Sequence, residues 1–256
     1  MKIQNTFKAN VIWGSLGFSL AIIAALLFDT QQTISYLAAA KAFIFSQFSW
    51  FYILLSAFFL FFLLFLALGR YGDIKLGSDE EEPEFKLGSW IALLFTSGIG
   101  IGIVFLGVAE PLSHFLSPIG EYEKVRTALF FSIFHWSISA WAIYGLIALT
   151  IAYFGFRYKL PFSLRSCFYP LLKEKINGRV GDIIDILGIC TTLFGVVATL
   201  GYSAIRLAAA FHSMHLLDNS PYLVPLILVS VFIIAILISL QGIANGFRIL
   251  SELNLG

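Results

Sequence analysis

The chain has little of two features on which most small secreted or soluble proteins depend, cysteine and charge. It contains two cysteines among 256 residues, Cys167 and Cys190, too few for the disulfide framework of a secreted scaffold. Charged residues make up 12% of the sequence, about half of the usual share in a soluble domain. The net charge of +1 gives no reason to expect a nucleic-acid partner.

Apolar residues, in contrast, are abundant. They make up 59% of the chain, the mean hydropathy is +0.90, and phenylalanine alone occurs 27 times. A soluble domain of this size cannot bury so much apolar surface. Several apolar runs are close to the length of about 20 residues that a helix needs to cross a bilayer. The sequence therefore predicts an all-α, polytopic membrane protein with spans near 10–28, 50–69, 90–112, 128–155, 183–211 and 222–241.

The positive charges predict how these spans are oriented. If the N-terminus is cytoplasmic, twelve of the sixteen Lys and Arg residues fall on cytoplasmic segments, three fall outside, and Arg206 lies within the fifth span. This distribution follows the positive-inside rule and predicts a multi-pass protein of the cell membrane with a cytoplasmic N-terminus. The acidic residues of the cytoplasmic segment 70–89 are interpreted as a solvated face.

A glycine repeat marks the third apolar run, Thr96-Ser97-Gly98-Ile99-Gly100-Ile101-Gly102. Each glycine inside a helix costs about 1 kcal/mol relative to alanine. In one interpretation Gly98 and Gly102 form a G-x-x-x-G pair that lets a second helix approach closely. In the other the helix is unwound here, and its freed carbonyls and amides bind ions and substrate near mid-membrane. The residues alone leave both interpretations open.

Three aromatic residues of the fourth run form a second candidate feature. Trp141 and Tyr144 are three residues apart and therefore share a helical face. On a regular helix Trp136 would lie about 140° from Trp141 and about 80° from Tyr144, so the rings can line one broad face. Such rings can surround a quaternary ammonium group through cation–π attraction, worth up to about 2 kcal/mol when desolvated. Ordinary packing, or anchoring of Trp136 at the membrane interface, explains the same residues.

Four longer segments resemble one family of transporters. They read RYGDIKLGSDEEEPEF, FTSGIGIGIVFLGVAEPLSHF, FHWSISAWAIYGLIALTIAYFGFRYKLPFSLRS and DIIDILGICTTLFGVVATLG. Across essentially the whole chain the sequence is similar to the betaine/choline/carnitine transporter family. The resemblance implies a LeuT-like fold, in which two inverted five-helix repeats follow two extra helices. Residues 1–69 would then form the extra helices, 70–89 an acidic cytoplasmic loop, and 90–256 an incomplete first repeat with a further span starting at 252.

The resemblance also implies a substrate site. Substrates of the family carry a quaternary ammonium or similar onium group, which an aromatic box surrounds. The matching residues here are Trp136, Trp141 and Tyr144 for the box, Gly98, Ile99, Gly100 and Gly102 for the unwound substrate segment, and Phe105 for a gate. The expected partners are a small onium solute and the lipid bilayer, and a full-length member is expected to form a homotrimer.

Sodium is the coupling ion that the resemblance implies, with no other cofactor. Sodium-independent, proton-coupled members tend to carry aspartate at the position of Gly102, where a carboxylate would meet the substrate cation. Glycine resembles the sodium-coupled betaine carriers, in which one sodium site uses backbone oxygens that match Thr96 and Ile99.

A second sodium site in those carriers uses hydroxyl groups of the fifth span. Thr192 matches one of these hydroxyls, but another matching position is Val196, which has no oxygen in its side chain. Hard cations need oxygen ligands, so Val196 puts this site in doubt unless Thr199, one turn further, compensates. Alternatively, the Thr192 hydroxyl bonds to its own helix backbone.

The expected function is therefore uptake of glycine betaine or a related compatible solute, driven by sodium. A complete family member has a second repeat, and a substrate site at the interface of two repeats cannot form from one. We therefore expect this chain to be truncated and inactive alone. The alternatives are a choline or carnitine carrier or exchanger of the same family, and a non-transporting remnant or partner subunit. No nucleophile lies next to a base in the sequence, so an enzyme is not expected.

Overall fold

The computed structural model describes residues 8–83, 85–98, 106–117, 123–218 and 220–240, with the backbone alone for 95–98. All regular secondary structure in these residues is helical. The helices are α1 (Ala9–Phe28), α2 (Thr30–Leu68), α3 (Leu87–Gly98), α4 (Gly107–Leu116), α5 (Lys124–His135), α6 (Ile138–Phe156), α7 (Leu164–Cys167), α8 (Tyr169–Leu172), α9 (Arg179–Ser213) and α10 (Leu223–Leu240), with a 3₁₀ turn at Lys173–Asn177.

Five stretches within these residues are long and apolar enough, by length and composition, to cross a membrane. They are α1, α2, α5 and α6 taken together, α9 and α10. Their most apolar windows bury little or nothing inside the protein, as expected where lipid is the solvent. The third predicted span, 90–112, is divided between α3 and α4, and residues 99–105 lie outside the described part of the chain.

Helix α2 begins at Thr30, well before the span predicted at 50–69. The carboxylate of Asp29 caps it by accepting a hydrogen bond from the backbone N–H of Gln32, at 2.9 Å. With 39 residues the helix is about 58 Å long, whereas the hydrocarbon core of a bilayer is about 30 Å thick. The segment interpreted as an outside loop after the first span is therefore helical.

The chain divides into two compact units, Met1–Glu81 with Ile133–Leu193, and Glu82–Ser132 with Phe194–Gly256. In the first unit α2 packs along α6, and a Cβ on Gly145 would lie 3.2 Å from a methyl group of Leu63. Helix α1 lies against the beginning of α9, where a Cβ on Gly14 would lie 2.5 Å from the Cδ1 of Ile186. Small residues thus allow close approach at both contacts.

In the second unit α4 carries an acidic residue and a proline in its first half, Glu110 and Pro111. Glu110 lies in the first turn, where a carboxylate suits the helix dipole, and Pro111 lies inside the helix just after that turn. The Nε2 of His114 lies 3.6 Å from a Glu110 carboxylate oxygen, and its ring centroid lies 5.5 Å from that of Phe131. Helix α4 thereby contacts the second half of α5.

Candidate onium-binding site

Helix α6 brings two of the three predicted box residues together. The ring centroids of Trp141 and Tyr144 are 6.1 Å apart, and the ring planes meet at 45°. Trp141 is 37% exposed and Tyr144 is 71% exposed, so both rings keep open faces. Open aromatic faces at this spacing can attract a quaternary ammonium group through their quadrupoles. The pair therefore has the spacing and exposure that part of such a cage would need.

Trp136 lies in a two-residue interruption between α5 and α6, where the prediction had a single regular helix. The helical angles predicted for this ring therefore do not apply, although it lies only five residues before Trp141. Neither proline nor glycine causes the interruption. The hydroxyl of Ser137 donates to the carbonyl of Phe134 at 2.8 Å and lies 2.8 Å from the hydroxyl of Ser139. These side-chain hydrogen bonds compete with the helical ladder.

Trp141 also lines an apolar groove between α2 and α6, a neighbour that the sequence did not indicate. The groove has a volume of about 210 Å³. Its other lining residues are Leu60, Leu63, Leu64 and Ala67 of α2 and Ile138 and Ala142 of α6. No charged residue is among them, so one side of the Trp141 ring has the surroundings of ordinary packing. The groove thus supports the packing interpretation for one side of the Trp141 ring, and the cage stays a prediction for its exposed side.

Most of the predicted glycine segment lies outside the described residues. Gly98 ends α3, and Ile99, Gly100, Gly102 and the gate residue Phe105 follow in the range 99–105. For Thr96 only the backbone, in the last turn of α3, is described. Whether the segment is unwound or packs against another helix therefore stays a prediction.

The two threonines predicted as sodium ligands both bond to their own helix. In the first unit the Thr192 hydroxyl donates to the Gly188 carbonyl at 2.9 Å. In the second unit the Thr199 hydroxyl donates to the Gly195 carbonyl at 2.9 Å. This is the backbone interaction weighed as the alternative for Thr192. A hydroxyl that donates its proton still offers oxygen lone pairs to a cation, so the two roles are compatible.

A charged network at the base of α9 was not predicted. Arg165 is 4% exposed, and its Nε donates to Asp185 at 2.5 Å. Its Nη1 lies 3.0 Å from a carboxylate oxygen of Asp182, which also accepts a hydrogen bond from Lys8 at 3.2 Å. Two cations thus balance two anions, which a buried charge requires. The sequence marked Arg165 only as a cytoplasmic charge because its partners lie far away along the chain.

The thiol of Cys167 lies beside this network. Burial raises the pKa of the Cys167 thiol above its usual range, a backbone hydrogen bond opposes that shift, and the Asp185 carboxylate adds to it. Both effects that raise the pKa disfavour the thiolate, the form that reacts with electrophiles. Cys167 is therefore a poor nucleophile in this position.

Contacts in the first unit bring together three segments that were predicted to share the cytoplasmic side. Lys8, before α1, donates to the Asn177 carbonyl at 2.6 Å. Arg157, after α6, lies 3.3 Å from a carboxylate oxygen of Asp79 and donates to the Lys75 carbonyl. The N-terminal segment, the acidic loop and the loop before α9 thus lie at one end of this unit.

Comparison with known proteins identifies the family. A family model described as the betaine/carnitine/choline family transporter (BCCT) matches residues 10–256. The chain belongs to this family. BCCT proteins are membrane transporters, which confirms the family prediction and the prediction that the chain is not an enzyme.

Individual BCCT relatives match most or all of the chain. An "Uncharacterized transporter" of Haemophilus influenzae is 47% identical over 259 residues, covering 100% of this chain and 39% of that protein. The "Glycine betaine transporter OpuD" of Bacillus subtilis is 40% identical, covering 89% and 45%. The "Osmo-dependent choline transporter BetT2" of Acinetobacter baylyi is 39% identical, covering 82% and 31%. The chain thus spans less than half the length of each of these relatives.

Proposed function

We propose that this BCCT chain takes part in the uptake of glycine betaine or a related quaternary-ammonium solute, in symport with sodium. The observation that carries the proposal is the Trp141–Tyr144 ring pair, 6.1 Å apart on a membrane-crossing helix of a BCCT protein. A trimethylammonium group cannot donate a conventional N–H hydrogen bond. It is therefore recognised through aromatic faces rather than through polar partners.

The remaining substrate contacts come from the glycine segment. Backbone atoms of Gly98, Ile99, Gly100 and Gly102 bind the solute in this proposal, Trp136 completes the helix contribution to the box, and Phe105 closes the site as a gate. The absence of a side chain at Gly102 leaves room for the methyl groups of the substrate. It also leaves no carboxylate that would compete with a coupling cation.

Sodium binds to oxygen atoms of two segments in this proposal. Backbone oxygens of Thr96 and Ile99 form one site, and the hydroxyls of Thr192 and Thr199 contribute to a second. The hydrogen bond from Thr192 to Gly188 supports the second site because it fixes the hydroxyl and leaves its lone pairs free. Val196 supplies no oxygen, so the second site has the weaker ligand set.

The proposed topology places the N-terminus and the network of Arg165 in the cytoplasm. The contacts among Lys8, Asn177, Arg157 and Asp79 support it, since these residues lie on segments assigned to one side by their positive charges. The fold we propose is the LeuT-like inverted repeat, and the full-length assembly is a homotrimer in the cell membrane. The two extra helices are α1 and α2, within residues 1–69, and the first repeat begins at 90.

The test is uptake of radiolabelled glycine betaine by cells that express the protein, in sodium buffer and in potassium buffer. Trp141→Leu should lower sodium-dependent uptake at least tenfold, because it removes the larger ring of the pair. Trp13→Leu is the matched control, since it makes the same change at an exposed position of α1. Equal loss in both variants, or uptake that potassium supports equally well, would contradict the proposal. The assay should compare the 256-residue chain with the complete reading frame that contains it.

Choline is the second candidate substrate. The 39% identity with a protein named as an osmo-dependent choline transporter favours keeping it in the test. Choline and glycine betaine share the trimethylammonium group and differ at the other end, so the aromatic pair binds both. Competition between labelled betaine and unlabelled choline measures which solute the site prefers.

A further inference from the structure

The network around Arg165 joins three parts of the first unit. The backbone N–H of Arg165 donates to Asp185 at 2.9 Å, in addition to the side-chain contact with the same carboxylate. Its Nη1 also donates to the carbonyl of Ile176 at 3.3 Å. Through Asp182 and Lys8 the network reaches the beginning of α1. The guanidinium thus connects the loop before α9, the first turns of α9 and the start of α1.

A second contact lies one turn above the first, on the same helix. A Cβ on Gly188 would lie 3.2 Å from the Cδ2 of Leu164, the neighbour of Arg165. Residues 164 and 165 therefore contact α9 at two successive points, Asp185 and Gly188. The carbonyl of Gly188 accepts the hydroxyl of Thr192. The loop is thus packed against the turn that presents this hydroxyl.

A third contact joins α9 to α1. Cys190 is 3% exposed, and its Sγ donates to the carbonyl of Ser15 in α1 at 3.8 Å. It lies between Gly188 and Thr192 in sequence, on the part of α9 that the loop also contacts. The Cys190 thiol is therefore expected to become accessible to reagents when α9 separates from α1.

We propose that Arg165 is a positioning residue that holds the base of α9 against α1 and the loop, and thereby fixes the turn that presents Thr192. The role as a positioner of a sodium ligand rests on the proposed function, whereas the role in holding α9 does not. Lysine cannot replace arginine here, because a single ammonium lacks the fork that reaches two carboxylates and a carbonyl at once.

Maleimide labelling of Cys190 tests the mechanical part of the proposal without any transport. The parent protein carries Cys167→Ser, so that Cys190 is the one native thiol left among these 256 residues. Arg165→Met should raise the rate of modification by N-ethylmaleimide in membranes at least tenfold. Arg179→Met, at an exposed position in the first turn of α9, should stay within twofold of the parent. A parent-like rate in Arg165→Met would overturn the proposal.

Arg165→Lys keeps the test decisive where Arg165→Met fails to accumulate in the membrane. It retains the positive charge, and its labelling rate should rise at least threefold, while an unchanged rate would again overturn the proposal. In sodium-dependent uptake the same variant should raise the half-saturating sodium concentration about fivefold. Loss of folded protein alone would lower the maximal rate and leave that concentration unchanged. Sodium-independent uptake by the parent would refute the proposed coupling, and the labelling result would still decide the role of Arg165.

Discussion

Gly181→Ala should destabilise the protein more than the same change at the other glycines whose surroundings the structure describes. Gly181 lies in the first turn of α9, and a Cβ there would lie 1.8 Å from the carbonyl oxygen of Ile176. The Ile176 carbonyl carbon and Cα would lie at 2.6 Å and 3.1 Å. All three atoms are backbone, so no side-chain rotation relieves the overlap.

The size of the destabilisation can be estimated from the overlap between the added methyl group and the Ile176 carbonyl. The methyl group and the carbonyl oxygen would have to separate from 1.8 Å to the ordinary contact distance of at least 3.4 Å. Ile176 is 1% exposed, and overpacking at buried sites costs about 1–3 kcal/mol. The same carbonyl accepts a hydrogen bond from Arg165, and losing a bond to a charged group costs about 1.5–3 kcal/mol. Alanine returns up to about 1 kcal/mol of helix propensity, which leaves a net loss of roughly 1.5–5 kcal/mol.

Thermal unfolding in detergent measures this loss. A destabilisation of that size should lower the midpoint by roughly 3–20 °C for a chain of this length. Gly178→Ala is the control, because its Cβ would lie 3.5 Å from the nearest atom, the carbonyl oxygen of Lys175. A Gly181→Ala protein as stable as the Gly178→Ala protein would show that the base of α9 is not packed as described.

Two further predictions concern other contacts of the first unit. Gly145→Val should lower the free energy of unfolding by roughly 1–3 kcal/mol because its added methyl groups meet Leu63. Leu63→Ala in the same chain should recover part of that loss. Strictly additive losses from the two substitutions would contradict the α2–α6 contact. In a Cys190→Ser protein, Cys167 should react with maleimide more slowly at pH 7 than a free thiol does, because burial and the Asp185 carboxylate raise its pKa. The labelling rate of Cys167 should continue to rise with pH above the pH at which the rate of a free thiol becomes constant. A Cys167 rate that becomes constant at a lower pH than the free-thiol rate would refute the reasoning.

Much of the helical fold could be predicted because long apolar runs have few alternatives in lipid. The run 222–241 became α10, Leu223–Leu240, which begins within one residue of the predicted start and continues to the last described residue. The first half of α2 was not predicted as part of that helix. Its leucine and four alanines are good helix formers, but Lys41 and three glutamines interrupt the apolar run on which the prediction depended.

In the candidate site, too, features that depend on neighbouring residues could be predicted, and features that depend on distant residues could not. The spacing of Trp141 and Tyr144 was enough to predict neighbouring rings, because both lie on one regular helix. The displacement of Trp136 from that helix depends on two serine hydroxyls that compete with the backbone, which no proline or glycine announces. The partners of Arg165 could not be predicted either, since Asp185 is twenty residues away and only folding brings the two together.

The single residue between α1 and α2 has a consequence for biosynthesis. Asp29 is the whole connection, and its backbone N–H bonds to the Ala25 carbonyl while its carboxylate caps α2. The Thr33 hydroxyl also reaches back to the Ala25 carbonyl, at 3.0 Å. The polar residues Thr30 to Thr33 already belong to α2, so no separate loop divides the first two helices. We therefore expect the two helices to enter the bilayer as one insertion unit, and a topology reporter spliced in at Asp29 would break that unit rather than report on it.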